Sequence, residues 1–334
     1  MLHRIAPYER GKIVYNEDMK ISPHELKLVI KQLKSKKRVF VSMDELEEIT
    51  GDRKDSSYKF AALAMDDGYK DNIEYGYPIF KEQNIPFCIY ITNSFPNKTT
   101  NLWWYALEEL ILNNDTLRWP EKTKVDNSSE GAKNRNFLLL RKEILNHYFL
   151  DPIAYLRNVG NLEFDLVREI MEKCMTWEEI ITLSRDPLAT LGAHTMNHYP
   201  LSRLSEKVAE YEMRNSRKEL EEKTGKPVYH FAFPFGGKEE AYHREYALAR
   251  SIEFKSATTT LNGHIFKKDS LLRLPRIYLR PLQNNSLTLD DLMKKNIKDY
   301  VKYARRSIIN MMSRQNEGRA PTALHLEDKK AGLP

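Results

Sequence analysis

The chain alternates short apolar runs with segments in which apolar residues recur every three to four positions. The apolar runs cover residues 60–65, 86–92, 188–193, 229–233, 254–258 and 274–278. Short apolar runs are typical of buried strands, and the periodic segments between them are typical of helices that bury one face. This order predicts an α/β fold in which a mainly parallel sheet or barrel is surrounded by helices.

Two helix starts are well marked in this pattern. Ser22 can cap a helix that has Pro23 in its first turn, and Glu25 can return a hydrogen bond to the amide of Ser22. Thr176 and Glu179 have the same spacing. We therefore predict that a helix begins after each of these caps.

The length of 334 residues allows one large barrel. Between residues 113 and 175 the pattern loosens into polar, aromatic and Asn-rich sequence, which we interpret as an insertion carried by the barrel. We predict a barrel domain over residues 1–290, followed over residues 291–334 by a basic helix and a polar tail.

The composition indicates a soluble globular protein. Hydrophobic residues make up 41% of the sequence and charged residues 30%, without low-complexity tracts. No apolar stretch approaches the roughly 18 residues that a membrane helix needs, and the N-terminus lacks the pattern of a secretory signal, so we expect a cytoplasmic protein. Cys88 and Cys174 lie in apolar contexts, which favours buried free thiols over a disulfide.

The formal net charge of the chain is +6, but basic and acidic residues are interleaved, so we predict no nucleic-acid binding. Residues 294–309 are the exception, because they form a basic amphipathic pattern. This pattern has two interpretations. Either the basic face is solvated while the helix packs on the body of the protein, or the helix contacts an anionic membrane surface.

Two adjacent carboxylates, Asp66 and Asp67, follow the apolar run 60–65 and precede Gly68. Barrel enzymes carry their chemistry at strand ends of this kind. Neighbouring carboxylates repel each other, so a divalent metal on one of them would remove the repulsion and leave the other as a base. The alternative is a turn that caps the next helix.

Two imidazoles, His194 and His198, follow another apolar run and are four residues apart. They would face the same side if the chain formed a helical turn directly after the strand. Two imidazoles and one carboxylate form the three-ligand set that catalytic zinc uses, with positions left open for water and substrate. Cobalt, nickel or iron would also fit, and an incidental histidine pair is the alternative.

In this combination the chain resembles the polysaccharide deacetylases of carbohydrate esterase family four, which have the nodulation-type deacetylase domain. Residues 63–69, LAMDDGY, resemble the first motif of that family, usually TFDDG. Residues 192–202, GAHTMNHYPLS, resemble the second motif, H-S/T-x-x-H-P, with the proline one place late. Residues 231–236, FAFPFG, resemble the third, and residues 274–277, LPRI, resemble a late segment of some subgroups. The resemblance implies a distorted (β/α) barrel with seven strands.

The resemblance also implies a role for each matching residue. Asp66 would be the general base, while Asp67, His194 and His198 would hold the metal. The main-chain amide of Phe235 would help the metal to polarise the acetyl carbonyl and to stabilise the tetrahedral oxyanion. The expected metal is zinc.

The sequence departs from the family pattern in two respects. Ala232 stands where many members have an arginine, and we predict that Arg276 orients the base instead; a surface arginine, or one paired with another carboxylate, is the alternative. The usual acid histidine near the C-terminus has only a superficial match at residues 324–326, in a polar tail. A circularly permuted subgroup takes its acid histidine from the first strand, and residues 2–5, LHRI, resemble that context. His3 is therefore the candidate acid, with a histidine at a frayed terminus as the alternative.

We therefore expect a metal-dependent hydrolase that removes N-acetyl groups from a 2-acetamido sugar or glycan precursor in surface-polysaccharide metabolism. An amidohydrolase acting on a non-sugar amide and an inactive glycan-binding module are the alternatives. Trp103, Trp104 and Trp177 are candidates for a sugar-binding rim, although core packing would also explain them.

Overall fold

The computed structural model describes residues 1–51, 59–119, 124–266 and 269–279. Its strands are β1 (Arg4–Ile5), β2 (Lys20–Ile21), β3 (Arg38–Phe40), β4 (Lys59–Ala61), β5 (Leu63–Met65), β6 (Phe87–Ile91), β7 (Thr116–Arg118), β8 (Lys124–Asp126), β9 (Ala189–Ala193), β10 (His230–Ala232), β11 (Ser256–Asn262) and β12 (Leu274–Arg276). Its α-helices are α1 (Val14–Glu17), α2 (Pro23–Ser35), α3 (Met43–Gly51), α4 (Tyr77–Gln83), α5 (Trp103–Asn113), α6 (Glu130–Glu143), α7 (Pro152–Val159), α8 (Leu166–Lys173), α9 (Trp177–Leu183), α10 (Glu206–Thr224) and α11 (His243–Ser251). The predicted C-terminal helix and tail lie outside the described residues.

Six parallel strands form the central sheet, in the order β12-β11-β10-β9-β6-β5. The two edges of this sheet are joined by the start of the chain. Leu2 exchanges backbone hydrogen bonds with residues 64 and 66 at 2.9 and 3.0 Å, and the amide of Leu279 donates to the carbonyl of Met1 at 3.0 Å. We call this closure, formed by residues 1–2, 64–66 and 277–279, the seam. The seam lies between β12 and β5 as a seventh segment and closes the sheet into a barrel. This confirms the predicted distorted (β/α) barrel.

The barrel strands are held by apolar packing against the surrounding helices. Phe87, Ile89 and Ile91 on β6 are fully buried and belong to the main core, which also contains Leu26 of α2 and Met213 of α10. Fully burying an aliphatic or aromatic side chain stabilises the fold by about 1.5–3 kcal/mol. This core fixes where each strand ends and therefore where the polar residues that follow it lie.

Both predicted capping boxes are present. The side chain of Ser22 accepts from the amide of Glu25, whose carboxylate accepts from the amide of Ser22, at the start of α2. Thr176 and Glu179 form the same pair at the start of α9. Each pair satisfies amides that would otherwise have no acceptor at a helix N-terminus.

The segment predicted as an insertion, residues 113–175, contains the antiparallel hairpin β7–β8 and helices α6 to α8. It has its own buried cluster, in which Phe137 and Leu140 of α6 pack with Leu107 and Leu110 of α5. This second core holds α6 beside the barrel, where one of its residues reaches the functional site described below.

The prediction that residues 60–65 form one continuous strand was wrong. The run divides at Ala62, because β4 pairs with β3 in a separate two-stranded sheet while β5 pairs with β6 in the barrel. Among the described residues, no helix is both long and apolar enough to cross a bilayer.

Candidate functional site

Asp66 and Asp67 lie at the C-terminal end of β5. The backbone turns sharply here, with φ of 78° at Asp67 and 92° at Gly68. A Cβ atom on Gly68 would lie 3.1 Å from Cδ1 of Ile91, so glycine suits both the turn and the packing. The turn brings both carboxylates to the same end of the barrel, and both are almost completely buried.

His194 and His198 come together through a loop, and the predicted helical turn after β9 was wrong. Thr195 and His198 have left-handed backbones, with φ of 68° and 58°. The amide of His198 donates to Oγ1 of Thr195 at 3.0 Å, which stabilises this conformation. The two imidazole rings nevertheless lie 4.9 Å apart, because the loop folds back on itself.

Glu212 of α10 anchors this loop, and sequence reasoning missed it. Its carboxylate accepts from the backbone amide of Asn197 at 2.8 Å and from the side-chain amide of Asn197 at 2.7 Å. Glu212 is only 2% exposed, and burial raises its pKa. A carboxylate at an inward-facing position of an amphipathic helix was the signal that could have identified it, because Ala209, Met213 and Ser216 occupy the same face.

The ligand atoms of Asp67, His194 and His198 all lie within 4.8 Å of one another. Oδ1 of Asp67 is 3.2 Å from Nε2 of each histidine. Nδ1 of His194 is 2.8 Å from the carbonyl of Ala232, so it must carry the proton, and the Nε2 lone pair of the neutral ring then faces Asp67. A cation between Nε2 of the neutral ring and Oδ1 of Asp67 would satisfy both lone pairs, so the donor set fits a divalent metal.

The electrostatics of this cluster favour a cation as well. Burial opposes ionisation of Asp67, but its interactions with His198 and His194 outweigh burial and hold its pKa well below the ordinary range. Burial alone would lower the pKa of His194, yet the carboxylates of Asp67 and Asp66 raise it. The site therefore attracts positive charge.

Asp66 is paired with Arg276, which ends β12. Nη1 and Nη2 of Arg276 donate to the two carboxylate oxygens at 2.6 and 2.7 Å, and Nε donates to the carbonyl of Thr259 at 2.9 Å. Burial would raise the pKa of Asp66, but the Arg276 guanidinium holds it below its usual value. Asp66 is therefore a buried, ionised carboxylate in a fixed orientation.

His3 lies beside this pair, because the seam brings the start of the chain next to β5. Its Nε2 is 3.9 Å from Oδ2 of Asp66, and the edge of its ring packs against Tyr278 with centroids 5.4 Å apart. Burial lowers the pKa of His3. When protonated, this imidazole is consequently a stronger acid than a solvated one.

Phe235 follows β10 in a strained turn, with φ of 59° at Phe235 and 45° at Gly236. A Cβ atom on Gly236 would lie 2.8 Å from the carbonyl oxygen of Phe233, so only glycine fits. Oγ1 of Thr260 donates to the carbonyl of Phe235 at 2.6 Å and holds the turn. The Phe235 ring packs on His198, with centroids 4.8 Å apart.

Sequence comparison identifies the family. The sequence model of the polysaccharide deacetylases matches residues 53–253, which is more than half of the chain. The chain belongs to the polysaccharide deacetylase family. A comparison with curated protein sequences finds no match.

Solved structures of similar fold include several proteins described as deacetylases. A deacetylase from Streptococcus pyogenes, PplD in complex with acetate, is 16% identical with a TM-score of 0.55, over 88% of this chain and 96% of that one. IcaB from Ammonifex degensii is 16% identical with a TM-score of 0.52, over 83% and 88% of the two chains. A de-N-acetylase from Aggregatibacter actinomycetemcomitans is 14% identical with a TM-score of 0.55, over 87% and 97%. At these identities the likeness shows that the fold is shared.

In this family member, a cavity of about 540 Å³ reaches the carboxylates and histidines described above. Trp103 and Trp104 line it, and both also pack with the second core, so the sugar-binding rim stays a prediction. Trp177 does not line this cavity. Its Nε1 donates to Oδ1 of Asn97 at 2.8 Å. The cavity also includes Arg141 of α6, which the sequence did not single out.

Proposed function

We propose that this polysaccharide deacetylase family member is a metal-dependent hydrolase that removes N-acetyl groups from a 2-acetamido sugar or glycan precursor in surface-polysaccharide metabolism. One observation carries the proposal. A buried, ionised carboxylate, Asp66, is held by Arg276 directly beside a three-ligand cluster in a cavity large enough for a sugar. Family membership and a shared fold with proteins described as deacetylases support the same activity.

In this proposal Asp67, His194 and His198 hold the metal. One carboxylate and two imidazoles suit zinc best, and cobalt, nickel or iron share the preference for nitrogen and oxygen ligands. When bound, the metal supplies Lewis-acid activation of the acetyl carbonyl and of water.

The remaining groups move protons and stabilise charge. Asp66 takes a proton from the attacking water, and Arg276 keeps its carboxylate ionised and oriented. The amide of Phe235 donates to the oxyanion of the tetrahedral intermediate. His3 then donates a proton to the amine nitrogen as the C–N bond breaks. An acid histidine supplied by the first strand agrees with the circularly permuted subgroup, which we propose as the place of this chain within the family.

The test is acetate release from a panel of 2-acetamido sugars, with and without a chelator. We expect turnover that stops on chelation, returns with Zn²⁺ and is lost in Asp66→Asn. Turnover confined to cyclic ureides or other non-sugar amides would favour the alternative amidohydrolase. If wild type and Asp66→Asn both bound the sugar and neither showed metal-dependent turnover, a glycan-binding module would be favoured. A cytoplasmic location and membrane contact by the C-terminal segment stay predictions.

A further inference from the structure

Arg141 is an arginine of the cavity wall that the proposed chemistry does not use. It lies near the C-terminal end of α6 and lines the same cavity as the metal cluster. Its Cζ atom is 4.8 Å from the ring centroid of Tyr15 and 5.8 Å from that of Phe235. The Tyr15 ring is itself fixed against Phe137 of the second core, with centroids 5.7 Å apart. Two aromatic faces therefore hold the guanidinium in place.

No residue in the described part of the chain neutralises the charge of Arg141. Within the part of the chain that the structure describes, Arg141 takes part in no ion pair and donates no side-chain hydrogen bond. The other two arginines at this site differ, because Arg4 pairs with Asp71 at 2.7 Å and Arg276 with Asp66 at 2.6 Å. Stacking on aromatic rings uses the faces of a guanidinium and leaves its N–H edge available.

The position of Arg141 sets where its ligand would lie. The ring of Phe235 contacts both Arg141 and His198. A group bound by Arg141 would thus lie in the same cavity as the metal cluster and next to the Phe235 ring, where a substituent of a bound acetamido sugar could reach it.

We infer that Arg141 binds an anionic oxygen group, a phosphate or a carboxylate, carried by the acetamido sugar. This inference rests on the proposed function and assigns its substrate to a charged class. A planar guanidinium with a free edge matches both oxyanions in two-point hydrogen bonding, and a preorganised guanidinium loses little side-chain entropy on binding.

The experiment measures acetate release and direct calorimetric binding with three probes: N-acetylglucosamine, N-acetylglucosamine 1-phosphate and 2-acetamido-2-deoxyglucuronic acid. The proteins are wild type, Arg141→Gln, Arg141→Lys and Arg135→Gln. Arg135 is the matched control, since it is an exposed arginine on the same helix and is not part of the cavity wall.

We expect wild type to prefer one of the two anionic probes, and that probe identifies the group as phosphate or carboxylate. Arg141→Gln should raise KM and Kd for the preferred probe about tenfold or more, the loss expected for charge-assisted hydrogen bonds, and should leave kcat and the neutral sugar unchanged. Arg141→Lys should recover part of the affinity, and Arg135→Gln should match wild type.

Equal effects of Arg141→Gln on charged and neutral probes, or no preference for an anion in wild type, would overturn the inference while the deacetylase proposal stands. If none of the probes released acetate, the proposed function would fail. The binding titration would still decide the role of Arg141. Loss of affinity for an anionic probe in Arg141→Gln, but not in Arg135→Gln, supports the subsite. Unchanged affinity in Arg141→Gln rejects it.

Discussion

Replacing Glu212 with glutamine is expected to weaken metal binding without removing a ligand. In the native protein one carboxylate oxygen accepts from the backbone amide of Asn197 and the other from its side-chain amide. Glutamine has nearly the same shape but only one oxygen. Whichever way its amide is turned, an NH₂ group faces one of the two donors, so one hydrogen bond is lost and two donors are brought together.

The size of the effect follows from the lost interaction. A hydrogen bond to a charged group contributes about 1.5–3 kcal/mol, and the remaining donor is buried. Asn197 directly precedes His198, whose left-handed backbone depends on this loop. Loss of this hydrogen bond therefore weakens the loop that holds His198 in its metal-binding position. Outer residues that orient metal ligands typically change metal affinity by about 10- to 100-fold, and we expect a loss in this range.

The assay is competition for Zn²⁺ between the protein and a chelator of known affinity, with acetate release measured in parallel at limiting and saturating Zn²⁺. Turnover of Glu212→Gln should be low at limiting metal and should recover largely at saturation. Glu210→Gln is the matched control, because Glu210 is on the same helix, is 41% exposed and pairs only with Arg214 in the described part of the chain.

Zinc affinity of folded Glu212→Gln within twofold of wild type would refute this reasoning. That result would mean that the loop keeps His198 in place without the Glu212 carboxylate. Thermal unfolding of the metal-free proteins provides the check on folding, since a variant that is merely unstable would lose its cooperative transition.

Three further predictions concern other buried groups. Arg276→Ala should cost about 3–5 kcal/mol of stability in urea unfolding, because it leaves the Asp66 carboxylate buried without its partner, and should lower kcat; full turnover would exclude the orienting role. His3→Ala should lower kcat on an unactivated acetamide by about 10²–10⁴-fold but much less on an activated acetyl ester, whose leaving group needs no proton; equal losses would remove His3 as the acid. Burial raises the pKa of Glu108, so its contribution to stability is full below the ordinary glutamate pKa and is lost as pH rises. Glu108→Gln should therefore gain stability relative to wild type as pH rises above the ordinary glutamate pKa, measured by urea midpoints, and a constant difference would contradict the assignment.

The sequence was sufficient to predict the barrel and the strand ends that carry polar residues. Asp66 and His194 could be located because each follows an apolar run directly, and parallel strands end at one edge of a sheet. The caps at Ser22 and Thr176 were predictable because their hydrogen bonds involve residues only three apart. Features set by residues close together in the sequence, such as these caps, can therefore be predicted from the sequence.

The loop after His194 was not predictable by the same rules. Left-handed backbones at Thr195 and His198 have no marker in the sequence, because neither residue is glycine. The conformation depends on Glu212, which lies on α10 and contacts the loop only in the folded chain. Arg141 was missed for the same reason, since its neighbours Tyr15 and Phe235 are distant in sequence.

The seam has a consequence for folding. The ion pair of Asp66 and Arg276 joins residues 210 positions apart. The barrel closes only when the start of the chain meets residues 277–279. Contacts of such high sequence separation form late and slowly. Opening of the seam would separate Asp66 from Arg276 even while the remaining strands stay paired. Activity should therefore appear last during refolding and disappear first during thermal denaturation, ahead of the loss of circular dichroism.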